Sequence, residues 1–380
     1  MSGPELLVVA GEVSGDLHAG NMLEQLQRLE PGLVAFGIGG ERLSEQGLEL
    51  IAHTDELAHM GLIEVLRELP RLRGVMRATV EAAARRRPRA AVLVDSPDFN
   101  LRLAERLRSL NVPVILYVSP QLWAWRRRRV RTVRRVAREV LCILPFEVDF
   151  YRDHGVKARY VGHPLVDEMA RHGLLDHAGA PDPRRIALLP GSRRMEVGAL
   201  LPAMLDALRR LPRDRVSDAV LVEAPGMGTA IDDVLNRHDR DPRLRRSAGP
   251  GRRRELAGCS MAWTASGTAT LECALLDVPM AVGYVLQPVS YTLARALVRV
   301  PHVALANLIA GDRVAPELIQ RQWNPDRLVD VALELLGDAG DRQRQALAVI
   351  RERLGGPGAS RRAAEAVVET LATPMGEGRA

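Results

Sequence analysis

Short, wholly apolar runs alternate with amphipathic stretches along the first half of the chain. Leu6 to Ala10, Val34 to Ile38, Ala91 to Val94, Val114 to Val118, Val140 to Leu144 and Arg159 to Val161 read as strands, each leading into a loop and a helical pattern. Met22, Leu23, Leu26 and Leu29 mark one face of the first helix, and a longer helical stretch spans Leu62 to Arg87, interrupted near Pro70. Strands apolar on both faces and separated by helices predict a doubly wound parallel sheet. A polar stretch bearing Gly and Pro, about 171–185, breaks the rhythm, and the pattern then restarts. Ile186 to Leu189, Ala219 to Val222, Ser260 to Trp263 and Met280 to Val282 are the later strands. Val197, Leu200, Leu201, Met204, Leu205 and Leu208 keep helical spacing, with Pro202 expected to kink or delay that helix. Three helical stretches, 325–337, 340–354 and 358–372, close the chain.

The expected fold is therefore α/β, with two Rossmann-like doubly wound domains facing across a cleft. The first is drawn at 1–172, the linker at 173–184, the second at 185–355, and a C-terminal helix and tail at 356–380. A length of 380 residues is too great for one ordinary core and agrees with two.

Composition narrows the class. With 47% hydrophobic and 26% charged residues the chain is of the water-soluble globular kind. No apolar segment approaches the ~20 residues that span a bilayer, and no secretory signal fits the start, so neither export nor integral insertion is expected. Three scattered cysteines, Cys142, Cys259 and Cys273, form no CxxC or Cys/His cluster, which points to a reducing compartment and no zinc site. The formal charge is +6, and Lys157 is the only lysine. The run Arg126 to Arg138 resembles a nucleic-acid patch, but no aromatic residues interleave it as stacking requires. Val130, Val133 and Val136/Ala137 recur at helical spacing, so a helix with an outward, solvated or anion-facing arginine side is expected, with no nucleic-acid partner.

Candidate chemistry gathers where strands end. Ala91 to Val94 stops at Asp95, and a Pro-containing loop then presents Asp98 and Asn100. Ligands of open parallel sheets bind beyond the strands' carboxyl ends, so Asp95 is placed to act as a general base. The structural alternative is that Asp98 caps the following helix and Asp95 stiffens the turn. After the first strand, Gly11-Glu12-Val13-Ser14-Gly15-Asp16 offers two glycines for close backbone approach and polar contacts from Glu12, Ser14 and Asp16, or simply a capped tight turn. His163, in Gly162-His163-Pro164, is a strand-end ligand-contact candidate. Gly37-Ile38-Gly39-Gly40 lacks the spacing of a dinucleotide fingerprint and follows the wrong strand, so hydride transfer is set aside.

In the second half, Gly191, Ser192 and Arg193 follow a strand and open a helix, which suits an anion held by backbone N–H groups and a guanidinium. Ser266, Gly267 and Thr268 repeat that arrangement. Glu272, one turn on from Thr268, suits a ribose diol, or else pairs with an arginine. Asp239-Arg240-Asp241 is a DxD triplet that no apolar strand delivers, so it reads as a solvated loop, and neither metal nor cofactor is expected. Residues 61–77 are apolar on one side and arginine-rich on the other, the composition of an interfacial membrane segment or of an ordinary half-buried helix.

These stretches together resemble one family. GEVSGD (11–16), MGLIEVL (60–66), VDSPDFNLRLA (94–104), YVSPQLWAWR (117–126), LPFE (144–147), VGHPL (161–165), LLPGSRRMEV (188–197), SGTATLE (266–272) and NLIAGDRVAPELIQ (307–320) match, in order, the bacterial lipid-A-disaccharide synthases, inverting GT-B glycosyltransferases. Ala306 stands where that family usually has proline, and Gly258-Cys259-Ser260 where it tends to show Ala-x-Asp. The resemblance implies transfer of 2,3-diacylglucosamine from its UDP conjugate to the 6-hydroxyl of 2,3-diacylglucosamine 1-phosphate, giving a β(1→6) disaccharide phosphate and UDP. It implies Asp95 as base. UDP would lie on Gly191, Ser192, Arg193, Ser266, Gly267, Thr268, Glu272, Asn307 and Gln320, and the acceptor on Glu12, Ser14, Gly15, Asp98, Asn100 and His163. It further implies a membrane-facing surface at Leu62, Ile63, Val65, Leu66, Leu69 and Leu72, residence at the cytoplasmic face of the inner membrane, and a homodimer exchanging C-terminal segments. A related GT-B UDP-GlcNAc transferase or epimerase acting on a non-acylated sugar is the alternative.

Overall fold

A strand apolar on both faces needs cover on both, and the computed structural model supplies it with helices on either side of two parallel sheets. The structure describes residues 3–58, 65–175, 180–239, 241–287, 291–292, 295 and 300–373; side chains 58 and 65–69 are not described. The chain divides into two units, one built from residues 1–167 and 356–380, the other from 168–355.

The first unit holds β1 (Glu5–Ala10), β2 (Val34–Gly39), β3 (Glu49–His53), β4 (Ala90–Val94), β5 (Val114–Tyr117), β6 (Ala137–Cys142) and β7 (Ala158–Tyr160). Their order is β3-β2-β1-β4-β5-β6-β7 and every pairing is parallel. Alternate residues feed opposite layers. Leu7, Val9, Ala91 and Leu93 pack with residues of helices Val65–Arg86, Pro97–Ser109 and Val130–Val136. Leu6, Val8, Val92 and Val94 pack with Met22, Leu23 and Leu26 and with Ala363, Ala364, Val367 and Leu371 of the last helix, Ala359–Ala372. That helix begins at Gly358, which has no side chain to cap it. Asp167 substitutes, its carboxylate accepting from the N–H groups of Gly358, Ala359 (3.0 Å) and Ser360 (2.9 Å).

The second unit holds β8 (Asp182–Leu189), β9 (Asp218–Val222), β10 (Leu244–Ser247), β11 (Cys259–Ala265), β12 (Met280–Tyr284) and β13 (Glu317–Ile319), ordered β10-β9-β8-β11-β12-β13, again all parallel. Ile186, Leu188, Met261 and Trp263 pack under helices Arg194–Arg210 and Pro325–Leu335.

Several expectations are corrected. β3, β10 and β13 are additional strands of five, four and three residues, each at a sheet edge where only one neighbour constrains the pattern. The arginine run is not one helix: a 3-10 turn, Arg127–Arg129, leads into Val130–Val136, and Arg138 already belongs to β6. Val130, Val133 and Val136 are buried as their spacing required. Pro202 lies inside an unbroken helix, Arg194–Arg210, whose buried Val197, Leu200, Leu201, Met204 and Leu205 offset the lost hydrogen bond. Asp241 is no solvated loop residue. It is buried against Arg243 at 2.8 Å, and that guanidinium also donates to the Leu211 (3.0 Å) and Val216 (3.1 Å) carbonyls.

Candidate active site

Each sheet has one place where the chain's winding reverses: between β1 and β4 in the first, between β8 and β11 in the second. Loops leaving those strand pairs diverge to opposite faces and open a crevice, the ligand position of such sheets. The candidate residues follow these strands.

In the first unit Ala10 pairs with Val94, so Gly11 and Asp95 leave the sheet side by side. A Cβ on Gly11 would stand 2.3 Å from the Ser96 Cβ, so only glycine lets the two loops meet. Asp95 and Ser96 are both left-handed, at φ 54° and 40°, a conformation costing non-glycine residues about 1–2 kcal/mol each. Hydrogen bonds hold them there. The Asp95 N–H donates to the Tyr117 carbonyl at 3.1 Å, and the Asn100 amide donates to the carbonyls of Val94 (3.1 Å) and Asp95 (2.7 Å). Burial raises the Asp95 carboxyl above its ordinary value, against the Ser96 N–H bond that favours the charged form.

The neighbouring polar residues separate into surface and scaffold. Glu12 and Ser14 are exposed at the start of helix Val13–Leu29, beside an equally exposed Val13. Gly15 is buried, the position of its Cβ falling 3.6 Å from the Asp95 Cβ. Asp16 points elsewhere: its carboxylate accepts from Gly40 (2.6 Å) and Arg42 (2.9 Å), tying down the glycines after β2. Asp98 makes no cap bond at its helix start and instead carries Arg126 and Arg129. Asn100, expected to touch acceptor, is 1% exposed; its amide nitrogen clamps the backbone at Asp95, while its buried Oδ1 accepts no hydrogen bond among the described residues. His163 is buried too. Its Nδ1 accepts from the Leu165 N–H at 3.1 Å, and burial lowers its pKa to about 3, so the ring is neutral and packed.

In the second unit Leu189 pairs with Thr264, which sets the Pro190–Arg193 loop beside Ser266 and Gly267. Gly191, at φ 118°, and Gly267, at φ 133°, take backbone conformations that side chains resist. The Ser192 N–H and Arg193 Nη1 both donate to Glu196, at 3.0 and 3.3 Å, so a carboxylate already occupies part of this anion-suited loop. Arg193 is otherwise open, its side chain 78% exposed. Thr268 is exposed in the first turn of helix Thr268–Leu275, while the Ser266 hydroxyl donates to the Val303 carbonyl at 2.7 Å. Glu272 takes the paired alternative. It is buried and accepts from Arg253 at 2.7 Å, and Arg253 also meets Glu168 at 2.6 Å.

Two of the expected donor contacts, Asn307 and Gln320, also hold the backbone around them. Asn307 is wholly buried, bonded to both polar groups of Ala315 and to Glu317, each at 2.9 Å. Gln320 closes a two-way bond with the Leu286 backbone, at 2.7 and 3.0 Å. Glu317, unmarked in the sequence reading, organises this region by accepting from the Val303 and Ala304 N–H groups. Tyr284, also unmarked, ends β12 close enough to Arg193 and Glu196 for both charges to act on its hydroxyl, which burial pushes up. The Ala306 N–H reaches the Thr270 hydroxyl at 3.3 Å, a bond that a proline there would lack. Of the segment expected to face a membrane, Leu62 and Ile63 lie outside the described residues, as do the side chains of Val65, Leu66 and Leu69. Leu72 is half-buried against the first unit's core. Among the described residues no helix is long and apolar enough to cross a membrane.

A family model described as lipid-A-disaccharide synthetase matches residues 6–369. The chain belongs to that family. Lipid-A-disaccharide synthase of Anaeromyxobacter dehalogenans is 47% identical over 97% of this chain and 97% of its own length. That of Myxococcus xanthus is 43% identical over 97% and 98%. Among solved structures, UDP-GlcNAc 2-epimerase from Neisseria meningitidis, bound to UDP-GlcNAc, aligns with a TM-score of 0.64 over 97% of this chain and 99% of that one, at 12% identity. MurG of Acinetobacter baumannii aligns at 0.59 over 96% and 95%, at 13% identity. Identities this low speak for the fold alone, which is the GT-B class of two Rossmann-like sheets. Members of the synthetase family are glycosyltransferases, and this chain is one of them.

Proposed function

We propose that this chain joins two acylated glucosamines, with Asp95 as the base and the second unit's switch-point loops as the holders of the UDP-linked donor. The acceptor's 6-hydroxyl gives its proton to the Asp95 carboxylate as its oxygen attacks the donor's anomeric carbon. The carbon–oxygen bond to UDP breaks on the opposite face, inverting that carbon, and the electron pair leaves with the diphosphate. Arg193, the Ser192 N–H and the start of helix Arg194–Arg210 are the groups suited to the departing charge.

The observation that carries this reading is Asp95 itself. A carboxylate at a sheet's switch point, strained, clamped and raised in pKa by burial, has the features of a working base rather than of a turn stiffener. Exposed Val13 and Trp125 on the same unit support an acceptor that is partly apolar. We place the protein at the inner face of the membrane that holds its acylated substrates, attached peripherally, and propose a homodimer as its assembled state. Purified protein incubated with both acylated sugars tests the reading by mass analysis. A disaccharide monophosphate plus UDP is expected; turnover of UDP-GlcNAc in place of the acylated donor contradicts it.

A further inference from the structure

One cluster of charge on the first unit has no part in the chemistry above. Arg126 Nη1 donates to both oxygens of Asp98, at 3.2 and 3.4 Å, and Arg129 donates to one of them. Two guanidinium groups against one carboxylate leave a net positive charge. The side chains are 44%, 33% and 55% exposed for Arg126, Arg129 and Asp98, so the cluster faces solvent and can admit a ligand. Asp98 is three residues beyond Asp95, in the first turn of helix Pro97–Ser109, so both carboxylates belong to the loop and helix start that follow β4.

The cluster is held in place from below. The segment between β5 and the arginines has left-handed residues at both ends, Val118 at φ 58° and Arg126 at φ 55°. Its middle is fixed by the Trp123 indole N–H, which donates to buried Glu147 at 3.1 Å, and by the Tyr151 hydroxyl, which donates to the Pro120 carbonyl at 2.8 Å. Arg126 also lies over the Trp125 ring, 4.2 Å from its centroid. Strained backbone kept by this many contacts presents Arg126 in one orientation.

We propose that Arg126 and Arg129 bind the phosphate monoester of the acceptor sugar and make the enzyme select a phosphorylated acceptor over a free one. This rests on the reading of Asp95 as the base for the acceptor's hydroxyl. In a pyranose C1 and C5, the carbon that carries C6, flank the ring oxygen, so a phosphate on C1 and the nucleophile on C6 are two distinct groups on neighbouring corners of one ring. With the hydroxyl at Asp95, the phosphate of the same sugar stays near the loop after β4, where Asp98, three residues on, holds Arg126 and Arg129. A phosphate monoester carries more charge than Asp98 and offers oxygens to both guanidinium forks. Asp98 then serves to orient the two arginines rather than to touch sugar.

The test compares kcat/KM for 2,3-diacylglucosamine 1-phosphate with that for the same sugar bearing a free 1-hydroxyl, in wild type, Arg126→Ala, Arg129→Ala and the double variant. Wild type should favour the phosphate by about 100-fold, each single variant should lose about tenfold of that preference, and the double variant should lose nearly all of it. Donor KM should stay within about twofold throughout, which a general disturbance of the fold would not leave untouched. Arg126→Lys, a point charge without the fork, should keep more of the preference than Arg126→Ala. A double variant with the wild-type preference overturns the proposal, as does a wild-type enzyme that treats both acceptors alike. A wild-type enzyme that joins neither acceptor overturns the functional reading as well.

Discussion

Replacing Asn100 by leucine removes the clamp on Asp95 while keeping a buried side chain of similar size. Two amide bonds disappear, to the carbonyls of Val94 and Asp95. A buried carbonyl stripped of its partner costs about 1–3 kcal/mol, so the pair amounts to about 2–4 kcal/mol once other bonds to the same carbonyls are allowed for. For a unit of this size that lowers its thermal midpoint by on the order of 10 °C. Activity should suffer separately. Asp95 and Ser96 sit in left-handed conformations worth about 1–2 kcal/mol each in strain, and without the clamp they relax toward commoner ones. A displacement of about 1 Å at a reacting group costs roughly 10²-fold in rate. Melting curves of the full chain, with steady-state rates below the transition, separate the two effects: kcat should fall about 10²-fold while donor KM stays unchanged. Wild-type melting together with wild-type kcat would refute the clamp.

Other predictions follow from the same geometry. Because burial raises the folded-state pKa of Asp95, kcat/KM should rise with pH on a limb centred above the ordinary aspartate value of about 3.9, and that limb should be absent in Asp95→Asn; a limb at or below the ordinary value contradicts the raised pKa. His163, neutral above a pKa of about 3, should add no second limb near neutrality. Arg193→Ala should weaken UDP binding by about tenfold or more in titration calorimetry and leave the melting curve unchanged, since that side chain is exposed. Asp167→Ala and Leu371→Ala should each loosen the last helix from the first sheet, by about 1–2 kcal/mol for the lost cap and about 2–5 kcal/mol for the cavity, read as faster amide exchange across 359–372. Unchanged exchange in both would show that the helix is held by something else.

The central strands were legible because burial on both faces demands apolar runs, and Leu6–Ala10 of β1, β4, β5 and Ile186–Leu189 of β8 supply them; the polar start of β8, Asp182–Arg185, was not legible in this way. Three of the four edge strands, β3, β10 and β13, were not either; Leu244–Ser247, for one, pairs on one side only and carries two arginines. Loops at strand ends were legible as sites, but which way each polar side chain turns was not. Asn100, Asn307 and Gln320 look like ligand contacts in sequence, yet all three satisfy backbone groups that the loops' irregular paths leave unpaired. Glu317 and Glu147 are the converse. Each sits in a motif, but only the fold shows the backbone or indole N–H groups that they collect. The pairing of Asp167 with the chain's last helix, across 191 residues or more of sequence, has no local signal at all.

The claim that Asp95 is the base rests most directly on one variant. Asn tolerates the left-handed backbone, keeps an oxygen for the Ser96 N–H and removes only the charge that takes the proton. Asp95→Asn, assayed for disaccharide formation with both acylated sugars, should bind UDP as wild type does and lose about 10²–10⁴-fold in kcat. Turnover within about tenfold of wild type, with UDP binding intact, would contradict the account.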